Sequence, residues 1–231
     1  MKMERGKLIV IEGTDCSGKE TQAKILYKKL KLAGIAIEKI GFPRYDTPTG
    51  KIVGGSYLGK PEICEGWFPE GATSVDPKVA CLFYAADRRY ALPEIKEIID
   101  SGKNLILDRY VASNMGHQGG KIKDAEERNK LYNFLEKLEY DLLELPKPDV
   151  TIFLHMPPSI GMELKKGREG ASDQHESSLS HLNDAEIAYL DLAKKYNWEK
   201  IGCTSDGTIN TLKSPEKISE EVLNSVMNIF R

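Results

Sequence analysis

The sequence predicts an α/β protein: one five-stranded parallel sheet with helices on both faces. Two observations lead there. Five short β-rich runs, "KLIVIEG", "AIEKIGF", "NLILDRY", "DVTIFLH" and "WEKIGC", recur along the 231 residues, and longer segments with helical spacing lie between them. Strands alternating with helices imply a parallel sheet covered on both sides. The first, third and fourth runs are also nearly continuous in apolar residues, as central strands buried on both faces must be.

Composition sets the outer bounds. Hydrophobic residues make up 40% and charged residues 29%, which is ordinary globular usage, and the length suits a single domain over residues 1–231. With 33 basic against 35 acidic residues the formal charge is -2. That balance argues against wrapping a nucleic-acid polymer but permits a local basic pocket for a small anion. The longest apolar runs, such as "LIVI" and "TIFL", fall far short of the roughly 20 residues of a membrane span. The N-terminus runs straight into the first strand without a signal h-region. Cys16, Cys64, Cys81 and Cys203 are widely scattered and read as free thiols, so a cytoplasmic protein with no membrane partner is expected.

In chain order, the first strand leads into "GTDCSGKETQ" and then a helix from near Gly18, marked by Ala23, Leu26, Tyr27 and Leu30. Gly13, Gly18 and Lys19 keep the spacing of a phosphate-binding loop. Such a turn points the amides of Gly13, Thr14, Cys16, Ser17, Gly18, Lys19, Glu20 and Thr21, and the helix N-terminus, at an anion, while Lys19 adds a charge for the β- and γ-phosphates. Where the pattern asks for a Ser or Thr hydroxyl as the Mg²⁺ ligand, this chain has Glu20. Thr21 offers a hydroxyl one place late, on another side of the helix.

Ligands of parallel sheets gather at the carboxyl ends of the strands. There the sequence places Asp15, then "FPR" (Phe42, Pro43, Arg44) after the second strand and "DRY" (Asp108, Arg109, Tyr110) after the third. Asp108 suits a metal-bound water of Mg²⁺, and Arg44 and Arg109 suit bidentate grip on a phosphate. A surface ion pair is the plain alternative for each one taken singly; several at successive strand ends favour a site. "LFYAADRRY" reads as helix with Tyr84 and Arg88 on one face, suited to a planar base or, alternatively, to a core Tyr beside a surface Arg. Leu131, Phe134, Leu135, Leu138 and Leu142 mark a further helix, which "LPKPDV" ends before the fourth strand. "KKGREGASDQHESS" (165–178) reads as a mobile loop. Ser214 and Pro215 cap and start the last helix.

Taken together, "EGTDCSGKETQ", "FPR", "AADR", "DRYVASNMGHQGG" and "PDVTIFL" followed by a lid resemble the thymidylate kinase family of nucleoside monophosphate kinases, from residue 8 to the final helix. "DRYVASN" with "QGG" is the most specific part. The resemblance implies a three-layer α/β/α fold of the P-loop NTPase type. It also implies transfer of the γ-phosphoryl of Mg·ATP to dTMP, giving dTDP for dTTP synthesis, and a homodimer.

Carried over by position, Lys19 and the loop amides hold the ATP phosphates, and Asp15 contacts the acceptor's sugar or phosphate end. Arg44 and Arg109, with Phe42 beside them, clamp the dTMP phosphate. Tyr84 stands where the family stacks a Phe on thymine, and Arg88 where an Arg meets its O4. Ser113, Asn114 and Gln118 read the base and sugar. His117 stands where an aromatic residue crowds the sugar 2′ position. The lid (about 165–178) supplies Arg168 as charge donor, with Lys165 and Lys166 as helpers and Asp173 as anchor, and "CTSDGT" (203–208) flanks adenine. The implied catalytic set is Lys19, Asp15, Arg109 and Arg168; Asp108 and Glu20 face the metal. Departures from the pattern are Glu20, His117, His155 in place of an Asp, and the lack of an Arg in the first loop, which moves the burden to the lid. His175 and His181 read as plain lid or surface residues. Two other readings stay open: a kinase for another deoxynucleotide or deoxynucleoside, and a catalytically weak nucleotide-binding homologue that lost metal handling at Glu20.

Overall fold

The central strand, β1 (Leu8–Gly13), is buried along its whole length, and the computed structural model, which describes residues 4–165 and 179–230, is layered around it. Each β-rich run forms a strand: β2 (Ile37–Gly41), β3 (Asn104–Asp108), β4 (Val150–His155) and β5 (Glu199–Gly202). All pair in parallel, in the order β2-β3-β1-β4-β5. Successive side chains leave a strand on opposite faces. Leu8, Val10, Leu105 and Leu107 therefore pack on one side with α3 (Pro77–Asp100), α4 (Val111–Gly120) and α5 (Ala125–Glu136). Ile9, Ile11, Ile106, Ile152 and Leu154 pack on the other with α1 (Lys19–Leu32) and α8 (Pro215–Met227). The remaining helices are α2 (Pro48–Lys51), α6 (Pro158–Lys165) and α7 (Leu179–Lys195). No helix among the described residues is long and apolar enough to cross a membrane.

Local chemistry fixes the helix starts. Asp76 caps α3 by accepting from the amides of Lys78 and Val79, and Asp124 caps α5 in the same way through Glu126 and Glu127. Ser214 accepts from Lys217 with Pro215 at the first position of α8, as the sequence predicts. The α1 start differs: Gly18 sits there at φ 80 with no side-chain cap, so its amides remain available to a ligand.

One helix departs from expectation. After α5 the chain widens into a π-helical turn at Lys137–Leu142. Leu131 and Leu135 are buried, but Phe134 is 37% and Leu142 65% exposed. A wide turn re-phases the faces: Leu142 leaves the core and Glu139 enters it, fully buried.

The "QGG" segment has a packing reason. A Cβ on Gly119 would lie 2.7 Å from a ring carbon of Tyr132 in α5, and one on Gly120 would lie 2.7 Å from the backbone nitrogen of Ala185 in α7. Backbone atoms cannot swing aside as a side-chain tip can. Gly120→Ala is expected to cost about 1–3 kcal/mol by overpacking, lowering the thermal midpoint by several degrees. Thermal unfolding followed by circular dichroism checks this; an unchanged midpoint would refute so close an approach of α4 and α7.

Candidate active site

Beyond Gly13 the chain turns through residues 14–18 into α1. A Cβ at Gly13 would sit 2.5 Å from both the Leu154 carbonyl oxygen and Ser17 Oγ, so only glycine lets the loop lie against β4. The Thr14 hydroxyl donates to the Met156 carbonyl at 2.6 Å and accepts from the Met156 amide at 2.8 Å, tying the loop to the β4 exit. Lys19 folds back and donates to the carbonyls of Gly13 (3.0 Å) and Thr14 (2.8 Å). Burial, then the charge of Arg109, push its ammonium down to about 8, against the pull of Asp15, Asp108 and Glu12.

The turn after β3 faces this loop. Arg109 holds φ 66 and donates its amide to the Ile11 carbonyl. Its Nη2 donates to Asp15 Oδ1 at 3.0 Å, its Nη1 lies 3.4 Å from His117 Nε2, and Lys19 Nζ is 3.8 Å from the same Asp15 oxygen. Burial alone would raise the Asp15 carboxyl, but His117, Arg109 and Lys19 outweigh it and hold it well below the usual carboxylate range. Burial likewise works against the Arg109 charge, and Asp15 more than restores it. Asp15 and Lys19 of the loop and Arg109, 94 residues beyond Asp15, thus form one charged cluster.

Glu12, which sequence reasoning passed over, pins this arrangement. It is fully buried and accepts from the Tyr110 amide (2.7 Å), the Ser113 amide (3.0 Å) and the Ser113 hydroxyl (2.6 Å). Burial raises its carboxyl and the Ser113 hydrogen bond opposes that. A lone charge in an otherwise apolar strand was the available signal.

Asp108 pairs in register with Ile11 of β1 and Gly41 of β2, and burial pushes its carboxyl up. Among the described residues no cluster of three or more His, Cys, Asp or Glu could cage a metal. A half-buried carboxylate at this strand end is compatible with Mg²⁺, which takes one or two carboxylates and keeps waters and phosphate oxygens for the rest. Glu20 lies on the outer face of α1, its side chain 69% exposed, with Lys24 Nζ at 2.5 Å. Thr21 is exposed as well.

On the acceptor side, Phe42 is buried against Tyr110, ring centroids 6.3 Å apart. Arg44 donates its amide to Asp87 at 2.9 Å and its guanidinium to Glu94 at 2.5 Å. Asp87, a second buried acid absent from the sequence reading, also accepts from Thr49, holding the "FPR" loop to α3. Tyr84 is half-buried, edge-on to Tyr57 at 5.8 Å.

Arg88 is not the surface neighbour that helical spacing allowed. It is 2% exposed, donates to Glu139 from Nε (2.5 Å) and Nη2 (2.7 Å), and donates to the Tyr110 carbonyl from Nη1 (3.3 Å). Asn114 Nδ2 donates to the Cys81 carbonyl and to Glu139, each at 3.1 Å. Asn114 Oδ1 and both polar atoms of Gln118, one turn further on, are buried with no hydrogen-bond partner among the described residues. His181 is buried and stacks on His117 at 5.7 Å, correcting its reading as a surface residue. His155 pairs with Glu186 at 2.7 Å.

The 203–208 loop lies beside the phosphate loop, since Cys203 Sγ donates to the Ser17 carbonyl at 3.6 Å. Arg168, Lys166, Asp173, His175 and the side chain of Lys165 lie outside the described residues.

The geometry joins the loop after β1, through Asp15 and Lys19, to Arg109, and the α4 that follows carries the buried Asn114 and Gln118 amides. Residues 11–214 match the family described as Thymidylate kinase. A thymidylate kinase of Danio rerio is 27% identical over 201 residues, covering 87% of this chain and 84% of that protein. One from Mycobacterium tuberculosis is 31% identical over 180 residues, covering 78% and 79%. A solved structure of thymidylate kinase from Candida albicans is similar with a TM-score of 0.71 and 25% identity, over 97% of this chain and 92% of that one. The family match starts inside β1 and ends at the cap of α8, so it takes in the phosphate loop, the arginine turn and the amide face alike: this chain belongs to the thymidylate kinase family.

Proposed function

We propose that the protein is a dTMP kinase, transferring the γ-phosphoryl of ATP to dTMP to give dTDP. The observation that carries this reading is the amide face of α4. Asn114 Oδ1 and the whole Gln118 amide are buried without partners among the described residues, at a cost of about 1–3 kcal/mol for each such group. A ligand with a hydrogen-bonding edge would offset that cost, and α4 follows directly on the turn whose Arg109 meets the phosphate loop at Asp15.

Phosphoryl transfer needs positioning and charge neutralisation more than covalent chemistry. Lys19 and the amides of residues 13–21 hold the donor phosphates. Arg44 and Arg109 orient the acceptor phosphate, with Asp15 steering Arg109. Tyr84, Arg88, Ser113, Asn114 and Gln118 hold the base and sugar, with Phe42 and His117 shaping the walls. Arg168 brings a further cation from the lid. Asp108 would hold Mg²⁺, directly or through a water, and the ion would supply charge neutralisation at the donor phosphates. The outward Glu20–Lys24 pair keeps this carboxylate off the loop, so handling of the metal passes to Asp108 and water.

Two further properties belong to the proposal. Val79, Leu82 and Tyr90 form an exposed apolar stripe on α3, with Lys78 over the Phe134 ring beside it, a surface suited to a homodimer. All four cysteines are free thiols, in keeping with a cytoplasmic setting.

The deciding experiment measures ADP formation from Mg·ATP against dTMP, dUMP, UMP, dCMP, a purine monophosphate and thymidine. dTMP should be best, with dUMP about fivefold weaker for loss of a methyl contact worth about 1 kcal/mol. Fastest turnover of a purine monophosphate or of thymidine would sink the assignment, and ATP binding without any turnover would point to a catalytically weak homologue.

Arg109→Ala should lower kcat/KM at least ~100-fold, the loss of a preorganised donor to the reacting phosphates. Steady-state kinetics on protein with an unchanged circular dichroism spectrum tests it, and near-normal turnover contradicts the role.

Glu20→Ser should keep the fold and lower the Mg²⁺ concentration needed for half-maximal rate, because a hydroxyl takes over from an outward-facing carboxylate. A Mg²⁺ titration of dTDP formation reads the shift; loss of most activity in the Ser variant would instead make Glu20 an essential ligand.

A further inference from the structure

Glu139 is a fully buried carboxylate to which the roles above give no task. It is carried into the core by the π-helical turn at Lys137–Leu142. It receives Arg88 through Nε and Nη2, and Asn114 through Nδ2. A carboxylate only accepts hydrogen bonds, so the nitrogen end of the Asn114 amide has to face it. The Cys81 carbonyl accepts from the same nitrogen at 3.1 Å, a single neutral contact that a turned amide would exchange for one to residue 139. Oδ1 is the atom left over, buried and without a partner among the described residues. On the other arm, Glu139 and the Tyr110 carbonyl engage three N–H groups of Arg88, and a guanidinium has more donors than that. Burial works against the Arg88 charge, and Glu139 more than compensates, so the arginine stays a donor throughout.

We propose that Glu139 is a positioning residue that sets the hydrogen-bond polarity of the base site: a donor at Arg88 beside an acceptor at Asn114. This rests on the dTMP kinase reading. A pyrimidine carrying a carbonyl next to a ring N–H, as in thymine or uracil, matches that pair. Cytosine mismatches it twice, with an amino group facing the arginine and a bare ring nitrogen facing the amide oxygen. Were Glu139 only the counter-ion of Arg88, its loss would weaken every substrate alike.

The test compares kcat and KM for dUMP and dCMP, at saturating Mg·ATP, in the wild-type protein, Glu139→Gln and Glu139→Asp. The carboxamide of Glu139→Gln puts a donor into the cluster and lets Asn114 turn its oxygen inward and its nitrogen outward. The dUMP-to-dCMP ratio of kcat/KM should then fall at least ~10-fold, through opposite changes in the two KM values, with the KM for ATP unchanged. Glu139→Asp remains acceptor-only and should keep the wild-type ratio even where both rates drop. Equal losses for both nucleotides in Glu139→Gln would overturn the inference. Should that variant fail to fold, side-chain amide NMR of the wild-type protein decides, with the Asn114 signal assigned by its absence in Asn114→Ala. The inference expects the Asn114 NH₂ protons to stay protected from solvent exchange when dTMP is added; loss of that protection means the amide turns round and overturns it. If the wild-type protein phosphorylates neither dTMP nor dUMP, the functional reading has failed, which is a distinct outcome from a wild-type ratio in Glu139→Gln.

Discussion

A carboxylate buried at the carboxyl end of the central strand cannot be hydrated, and the arrangement of the site follows from how Glu12 is satisfied. Leaving an ionised group unpartnered there would be prohibitive. The chain meets the demand by bending the β3–α4 connection back over the end of β1. The amides of Tyr110 and Ser113 and the Ser113 hydroxyl then converge on Glu12. The same bend puts Arg109 at φ 66, a conformation that non-glycine residues adopt only when their surroundings impose it. With its backbone so held, the Arg109 side chain is directed at Asp15, across from Lys19. One buried acid therefore couples the phosphate loop to the arginine turn.

The polyphosphate side is built on groups that already have weaker partners. Lys19 rests on two peptide carbonyls, and burial, with the charge of Arg109 added, depresses its ammonium to about 8. A phosphate oxygen is a stronger, charged acceptor than a carbonyl. In the proposed reaction, moving Lys19 from the carbonyls onto such an oxygen would favour the charged ammonium. Few cations are needed because each is held against burial by a local acid. That is how a chain with a formal charge of -2 can still present a positive face to two polyanions.

What the sequence disclosed and what it concealed divide along one physical line. Strands β1, β3 and β4 were legible because burial on both faces writes an unbroken apolar run, and the phosphate loop because glycine spacing is a backbone requirement. Asp15, Lys19 and Arg109 were legible as strand-end residues, and the structure brings them together. Glu12, Asp87 and Glu139 were not. A carboxylate in sequence reads as a solvated surface group unless its partners are known, and these partners lie 98, 43 and 51 residues away. Leu142 was misplaced for a related reason: heptad-like spacing assumes regular winding, and the π-helical turn breaks it; Phe134 lies before that turn, on the exposed flank of the buried Leu131–Leu135 stripe. His181 was misjudged because its burial comes from stacking on His117 in another helix.

Arg88, Arg109 and Arg44 are each paired with a carboxylate, and the pairs are graded by burial. Arg88 and Glu139 are 2% and 0% exposed at the side chain. Breaking such a pair strands a charge in a dry place, so it behaves as a fixed part of the scaffold. Arg109 and Asp15 are 25% and 10% exposed, an intermediate case in which the arginine can share its remaining donors with an incoming phosphate. Arg44 and Glu94 are 23% and 49% exposed; water can take over Glu94, so this arginine exchanges its partner most readily. On the dTMP kinase reading proposed above, the gradient runs from the base end of the acceptor site toward its phosphate end. Rigid pairs lie where a nucleobase has to be told from its analogues by hydrogen-bond polarity, and exchangeable pairs where charge has to move onto a reacting group. A site ordered the other way would hold the phosphate rigidly and leave the base edge unread.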